Sequence, residues 1–272
     1  MQAASRAALQ NVATELDDSS EGQSAAALLT LADELFAVAA LLEVQPALRR
    51  ALADTATGPD ARSGLAARLL AGKVSAKAAA LLDSAVRARW SLPSEFVTGL
   101  RRLAIQAAFA SAEKGNKLDT VEEELFRFGR IVDGRPDLQR ALGEAAASDD
   151  QRATLIEALV SGKVHKVTEL LLAANLTGTR ARHAEQSVAE LSDLAALRRE
   201  RSIAQVTTSV ALSDAQEQRL VDSLSRIYNR AISLQILLDP ELLGGLVVRM
   251  GDEIIDGSTR FRLATAAQRL IG

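Results

Sequence analysis

The spacing of apolar and polar residues divides this chain into a long helical stretch and a short alternating one. Residues 3 to 17 carry a first helical pattern, and Asp17-Asp18-Ser19-Ser20-Glu21-Gly22 reads as a loop. Residues 23 to 44 form a longer, more apolar helix. Pro46 suits the first turn of a short helix over Ala47 to Asp54, and Gly58-Pro59 marks a break and restart. Gly72 stands where a helix ends, another helix runs from about Ser75 to Trp90, and a long one covers Ser94 to Ala112 after Pro93. Thr179 to Arg199 reads as a helix whose narrow apolar stripe is Val188, Leu191, Leu194 and Leu197. Ile203 to Val210 is a strand, and Ser213 caps a helix to about Arg230 with Leu220, Leu224 and Ile227 on one face.

The period then changes. Ile232, Leu234 and Ile236 alternate with Ser233 and Gln235, the signature of a half-buried strand. Asp239-Pro240 ends it, because proline has no N–H for a ladder. Gly244-Gly245 permits a bend, Leu246-Val247-Val248 restarts a β-type run, and Gly251-Asp252 turns into Glu253-Ile254-Ile255. Asp256-Gly257 turns again, and Ser258 is placed to cap a closing helix. The fold class expected is mainly α with a small α+β C-terminal domain.

The helical stretch repeats itself. Leu31-Ala-Asp-Glu-Leu-Phe is answered ninety positions later by Val121-Glu-Glu-Glu-Leu-Phe. At the same offset Pro46, Leu48, Arg50, Ala51 and Leu52 match Pro136, Leu138, Arg140, Ala141 and Leu142, and Gly72-Lys73-Val74 matches Gly162-Lys163-Val164. The register holds from about Leu31 to Leu82 and loosens towards the start. A unit this long exceeds a solenoid repeat. Two tandem bundles are therefore expected, over 1–92 and 93–200, with the α+β domain over 201–272.

Composition removes several function classes. Of 272 residues, 48% are apolar but only 3% aromatic, which favours helices packed through small side chains over a β-sandwich. The net charge of −3, with basic and acidic residues interspersed, is no footprint of a nucleic-acid binder. Without cysteine there is neither a disulfide framework nor a thiolate metal site. Ser24 to Val44 is the most apolar run, but Asp33 and Glu34 in its middle make it a core helix.

Candidate chemistry is sparse. His165 and His183 lack the helical partner a zinc site wants. The two Gly-Lys pairs lack the earlier glycine of a phosphate loop, since Ala67 and Glu157 stand there, and Val74 and Val164 replace its Ser or Thr. Glu122-Glu123-Glu124 points in three directions around a helix and reads as a solvated face. Trp90 reads as packing, and Arg198, Arg199 and Arg201 as a solvated helix end. No catalytic site, cofactor or metal is expected.

One stretch carries more. Ile232, Leu234, Leu238, Asp239, Leu242, Gly244, Gly245, Leu246, Val248, Arg249 and Gly251 stand at the spacing of a known signature, and Asp252, Ile255, Asp256, Gly257 and Ser258 continue it. Here the chain resembles the delta subunit of bacterial F-type ATP synthase, the family of the mitochondrial oligomycin-sensitivity-conferring protein. The family's single helical domain is similar to the second copy, from Pro93 to about Gly178, so residues 1 to 92 are an extra copy, as in longer actinobacterial members. The resemblance implies a non-catalytic stator subunit on the cytoplasmic face of the bacterial membrane. It also implies two sets of partners: the N-terminal helices of alpha subunits of the catalytic head, and the ends of the membrane-anchored b subunits. The signature residues are expected to shape the C-terminal domain, and no groove residue is assigned. A helical adaptor unrelated to ATP synthase is the alternative.

Overall fold

The computed structural model describes residues 1–20, 22–144, 148–177, 183–228, 232–250 and 253–259, without the side chains of 200–202. The chain divides into two compact units, Met1–Leu191 and Ser192–Gly272.

Ten helices of the first unit follow one another: α1 (Ala3–Ser19), α2 (Ala25–Val44), α3 (Pro46–Ala53), α4 (Pro59–Leu70), α5 (Ala76–Arg87), α6 (Pro93–Lys114), α7 (Leu118–Asp133), α8 (Pro136–Gly143), α9 (Asp149–Val160) and α10 (Lys166–Asn175). Their ends are written in the sequence. Proline opens α3, α4, α6 and α8, where a missing N–H costs no hydrogen bond. Ser24 and Ser75 accept from Ala27 N and Ala78 N at the starts of α2 and α5. Gly72 and Gly162 follow α4 and α9 at φ +69° and +70°. Trp90 lies beyond α5, not at its end as the sequence suggests. It is buried, donates from Nε1 to the Ala85 carbonyl, and packs tilted against Phe96 with ring centroids 5.6 Å apart.

The repeat is carried into three dimensions. α1, α3, α4 and α5 begin ninety residues before α6, α8, α9 and α10 respectively. The match therefore includes the first helix, where the sequences agree only loosely. Paired contacts follow the same register. Glu34 accepts from the N–H and hydroxyl of Ser75; Glu124 accepts from the N–H of His165 and the hydroxyl of Thr168. Each carboxylate thus satisfies orphan donors at a helix N-terminus, where negative charge is favoured. Arg62 and Arg152, both buried, likewise donate to backbone carbonyls, Arg62 to Arg87 and Ala88, Arg152 to Leu142 and Glu144.

The two copies touch each other through α6. Val97, Leu100, Leu103, Ile105, Ala108, Phe109 and Ala110 are buried on most sides of the helix, and only the stripe of Ser94, Thr98, Arg102 and Gln106 is less covered. A helix so widely apolar must be covered on most of its sides. α2 and α6 form the most extensive helix pair of the unit, and α6 also packs on α1, α3, α7 and α10. The pair is antiparallel, because Ser111 near the end of α6 donates to the carbonyl of Ala25 at the start of α2. At the other end, Arg101 of α6 donates from Nε and Nη2 to both carboxylate oxygens of Glu43 at 2.8 and 2.7 Å. Its Nη1 donates to the Ala174 carbonyl in the last turn of α10, which has no partner within its own helix. One buried guanidinium thus joins both copies. Arg101→Met is expected to cost roughly 2–3 kcal/mol, because it strands Glu43 and a helix-end carbonyl; Glu43 is itself partly wet, which limits the loss. Urea unfolding of Arg101→Met, Glu43→Gln and the double variant would expose the coupling.

The second unit begins within α11 (Ala184–Ser202) and continues with β1 (Ile203–Thr208), α12 (Asp214–Tyr228), β2 (Ser233–Leu238), β3 (Leu246–Met250) and β4 (Glu253–Asp256). The sheet order is β2-β1-β3-β4. β1 and β2 are parallel, with Ala204 opposite Leu234 and Val206 opposite Ile236; the other pairs are antiparallel. Parallel neighbours need a crossover, and α12 supplies it. Its Leu224 joins Ala204, Val206, Ile232, Val248 and Met250 in a small core. The expected class, helices followed by a small α+β unit, is observed.

Candidate functional site

The stretch with the known signature is a turn system on one side of the sheet of the second unit. Asp239 ends β2: its N–H donates to the Thr208 carbonyl, and its carboxylate accepts from Glu241 N at 2.9 Å. Leu242 N returns to the Asp239 carbonyl, closing a tight turn. Gly244 and Gly245 follow at φ +109° and +82°, a region that side chains avoid. Gly257 N donates to the Leu246 carbonyl and Thr259 N to that of Gly244, so the β3–β4 pairing extends to both glycines. Asp256 accepts from the N–H of Ser258, which is buried. Ile232 and Val248 enter the core, Leu234 and Leu246 pack on its edge, and Leu238, Arg249 and Ile255 are exposed. Gly251 and Asp252, and the helix expected after Ser258, lie outside the described residues.

The same unit exposes apolar side chains. Val210, Leu238 and Leu243 are 72%, 60% and 70% exposed. They belong to one end of the sheet, since Leu238 pairs with Thr208, the Thr208 hydroxyl donates to the Val210 carbonyl, and Leu243 leads into the strand whose Leu246 also faces Thr208. Exposed aliphatic groups gathered in this way mark an interaction surface.

In the first unit a groove of about 540 Å³ runs between α6, α10 and α11. Thr98, Arg102, Asn175, Gln186, Glu190 and Leu191 line it, so its walls are largely polar. Arg102 and Glu190 face each other across it at 3.9 Å. His183 also borders the groove, whereas His165 caps α10, its Nδ1 accepting from Val167 N at 3.2 Å. Glu124 is the carboxylate that holds the start of α10, so it is structural, not a solvated member of a triplet. Glu123 pairs with Arg127 one turn away. The Gly-Lys pairs are left-handed helix ends and hold no phosphate-loop geometry. Among the described residues, no group of three or more His, Asp or Glu side chains is placed to hold a metal.

Sequence reasoning missed Arg101 and Glu43. Their signal was present: each is a charge embedded in an otherwise apolar helical run, where burial without a partner would be costly.

The fold is that of a mainly helical protein with a small α+β unit, and it gathers no catalytic or metal constellation among the described residues. Relatives sharpen this. The model of the ATP synthase delta (OSCP) subunit family matches residues 105–270. "ATP synthase subunit delta" of Thermobifida fusca is 43% identical over 272 residues, covering all of both chains. The protein of that name from Streptomyces griseus is 42% identical over the same span, and that of Frankia alni 41% over 277 aligned positions. The chain belongs to the ATP synthase delta (OSCP) family, and with it to the non-catalytic peripheral-stalk subunits of F-type ATP synthase. Its location is peripheral and membrane-associated. The unrelated adaptor is thereby set aside. The full-length match also takes in the first helical copy. α2 has the length and hydropathy of a membrane span, but it lies along α6 within the first unit.

Proposed function

We propose that the chain joins the alpha subunits of the catalytic head to the membrane-anchored b subunits, on the cytoplasmic face of the bacterial membrane. The first unit receives the amphipathic N-terminal helix of an alpha subunit. The second meets the b ends through the apolar surface around Val210, Leu238 and Leu243. The observation that carries this reading is that surface: three aliphatic side chains, each more than half exposed, held at one sheet end by a signature of tight turns. A static tether needs contacts of this kind at two places, because two linked contacts outlast either alone. Resisting rotor torque asks nothing chemical of the chain. The boundaries proposed from the sequence remain our reading of its ancestry: an extra copy over 1–92, the family's usual helical domain over 93–200 and the α+β domain over 201–272.

The test is calorimetric titration of the full chain with a peptide from the N-terminus of the alpha subunit of its own organism. Saturable binding, lost on substitutions in the first unit and retained on Leu238→Asp, is the expected result. No binding by the folded chain would overturn the assignment to alpha. A stoichiometry of two peptides would make the first copy a second socket.

A further inference from the structure

Two buried arginines, Arg62 and Arg152, stand at the same place in the repeat and bond differently. Arg152 uses every edge of its guanidinium. Its Nε donates to the Leu142 carbonyl at 3.1 Å, its Nη2 to that of Glu144, and its Nη1 to the Asp149 carboxylate at 3.1 Å. It thereby closes the end of α8 onto the start of α9 and satisfies carbonyls that lack a partner in their own helix. Arg62 turns the other way. Its Nη2 and Nη1 reach the Arg87 and Ala88 carbonyls at the end of α5, at 3.2 and 3.5 Å, and its Nε is buried without a hydrogen-bond partner. A buried donor left unmade is costly, so the seat of Arg62 is the poorer of the two.

Side chains explain why the two arginines part. Pro59 stands where Asp149 supplies a carboxylate, so the first copy lacks the group that draws the guanidinium towards the α3 end. α5 runs to Arg87, whereas α10 stops at Asn175, the counterpart of Ala85. Arg87 is itself held beside α4 by Asp60, Ser63 and Asp83, and the second copy has Ala153, Ala173 and Thr177 in place of Ser63, Asp83 and Arg87. The other seat is nevertheless prepared. α3 and α4 have the lengths of α8 and α9 and begin ninety residues before them, so Leu52 and Asp54 hold the places of Leu142 and Glu144. The Asp54 carbonyl accepts from Thr57 N and keeps a second lone pair. Beyond Ala88 the chain passes through Trp90 into α6. Trp90 donates to the Ala85 carbonyl and Ser91 N to the Ser5 hydroxyl, so this joint between the copies is anchored on the helix end that Arg62 holds.

We propose that Arg62 is a two-position latch on the joint between the two helical copies. In the position seen here it holds the end of α5, and with it the joint. In the position of Arg152 it closes the end of α3 and frees the joint. Two long hydrogen bonds and one unmade donor leave the latch poised for release, and a subunit of a load-bearing stalk gains from it a joint with two settings. The latch is independent of which subunits the chain joins.

Pro59→Asp in the full chain supplies the missing carboxylate and should draw Arg62 to the α3 end. A crystal structure of that variant is expected to place Arg62 Nε within hydrogen-bond distance of the Leu52 carbonyl. Amide exchange followed by NMR should quicken at least tenfold at Ala88 and Ser91, whose N–H groups bond to the Ser84 carbonyl and the Ser5 hydroxyl, with α2 and α9 unchanged. Trp90, the single tryptophan of the chain, reports the same change through quenching of its emission by acrylamide. Pro59→Ala removes the proline without adding a carboxylate and should alter neither. Arg62→Met empties both seats, so the joint should loosen as in Pro59→Asp, and Pro59→Asp added to it should do nothing more. Exchange at Ala88 and Ser91 in Pro59→Asp equal to that of the unaltered chain would overturn the proposal, as would a crystal structure with Arg62 still on Arg87 and Ala88. Additive loosening in the double variant would overturn it too, because the carboxylate would then act without Arg62.

Discussion

A fragment ending at residue 92 is expected to lack a cooperative unfolding transition, although it contains a whole sequence repeat. The face of α2 that meets α6 begins at Ala25 and ends at Glu43, both of which touch α6. Ala32, Phe36 and Ala39 lie between them on the same stripe, by their three- and four-residue spacing. All three are buried. Without α6 this stripe meets water, and each large side chain re-exposed forfeits about 1.5–3 kcal/mol. The second copy shows the consequence: Phe126, the counterpart of Phe36, has no such cover and is 57% exposed. A fragment carried through to residue 117, at the end of α6, should regain a sharp thermal transition by circular dichroism. Equal cooperativity in both fragments would mean that the first copy folds without α6. A fragment starting at residue 93 fails for the converse reason, since it bares the face of α6 that α2 covers.

The second large effect concerns Gly245. Its φ of +82° already disfavours a side chain, and a Cβ there would stand 2.5 Å from the Gly257 carbonyl oxygen and 2.9 Å from Ser258 Cα. Those atoms are backbone, fixed by the Gly257–Leu246 hydrogen bond, and cannot swing away. Strain and overpacking together put the cost of Gly245→Ala at roughly 2–5 kcal/mol. The loss should fall on the second unit alone, seen as faster amide exchange in β1, β3 and β4 with α2 and α6 unchanged. Gly72→Ala is the comparison. Its φ is +69° but nothing lies within 4 Å of the added atom, so only the strain of roughly 1 kcal/mol remains. Equal losses at the two glycines would show that the close approach to Gly257 is unimportant.

What the sequence disclosed and what it withheld follow from the range of the interactions involved. Local chemistry was readable: Pro46, Pro136 and Pro93 open their helices, Ser24 and Ser75 cap theirs, and Asp239-Pro240 ends β2. The ninety-residue offset was readable from a handful of matched prolines, glycines and charges, and it even fixed α1 against α6, where similarity is faint. The packing of α6 on α2 of the other copy was not read, because it is a long-range contact. Its sign lay in α6 itself, whose polar stripe of Ser94, Thr98, Arg102 and Gln106 is narrow and whose other sides are largely apolar. The parallel pairing of β1 and β2 is likewise non-local, and follows only once α12 is recognised as their crossover. As for the site, the signature residues Gly244, Gly245 and Gly257 stand where backbone geometry requires them, whereas partner surfaces such as Val210 and Leu243 carry no pattern of their own. An exposed aliphatic residue looks in sequence like a core residue until the fold shows what fails to cover it.

A chain that tethers two parts of a rotary machine is tested by ATP-driven proton pumping in inside-out vesicles stripped of the subunit, before and after adding the purified chain. ATP hydrolysis is expected to continue without the chain while pumping is lost; the intact chain is expected to restore pumping, and a chain ending at residue 202 is not, because it lacks the sheet unit. Full pumping by stripped vesicles, or restoration by the first unit alone, would show that the chain is no tether.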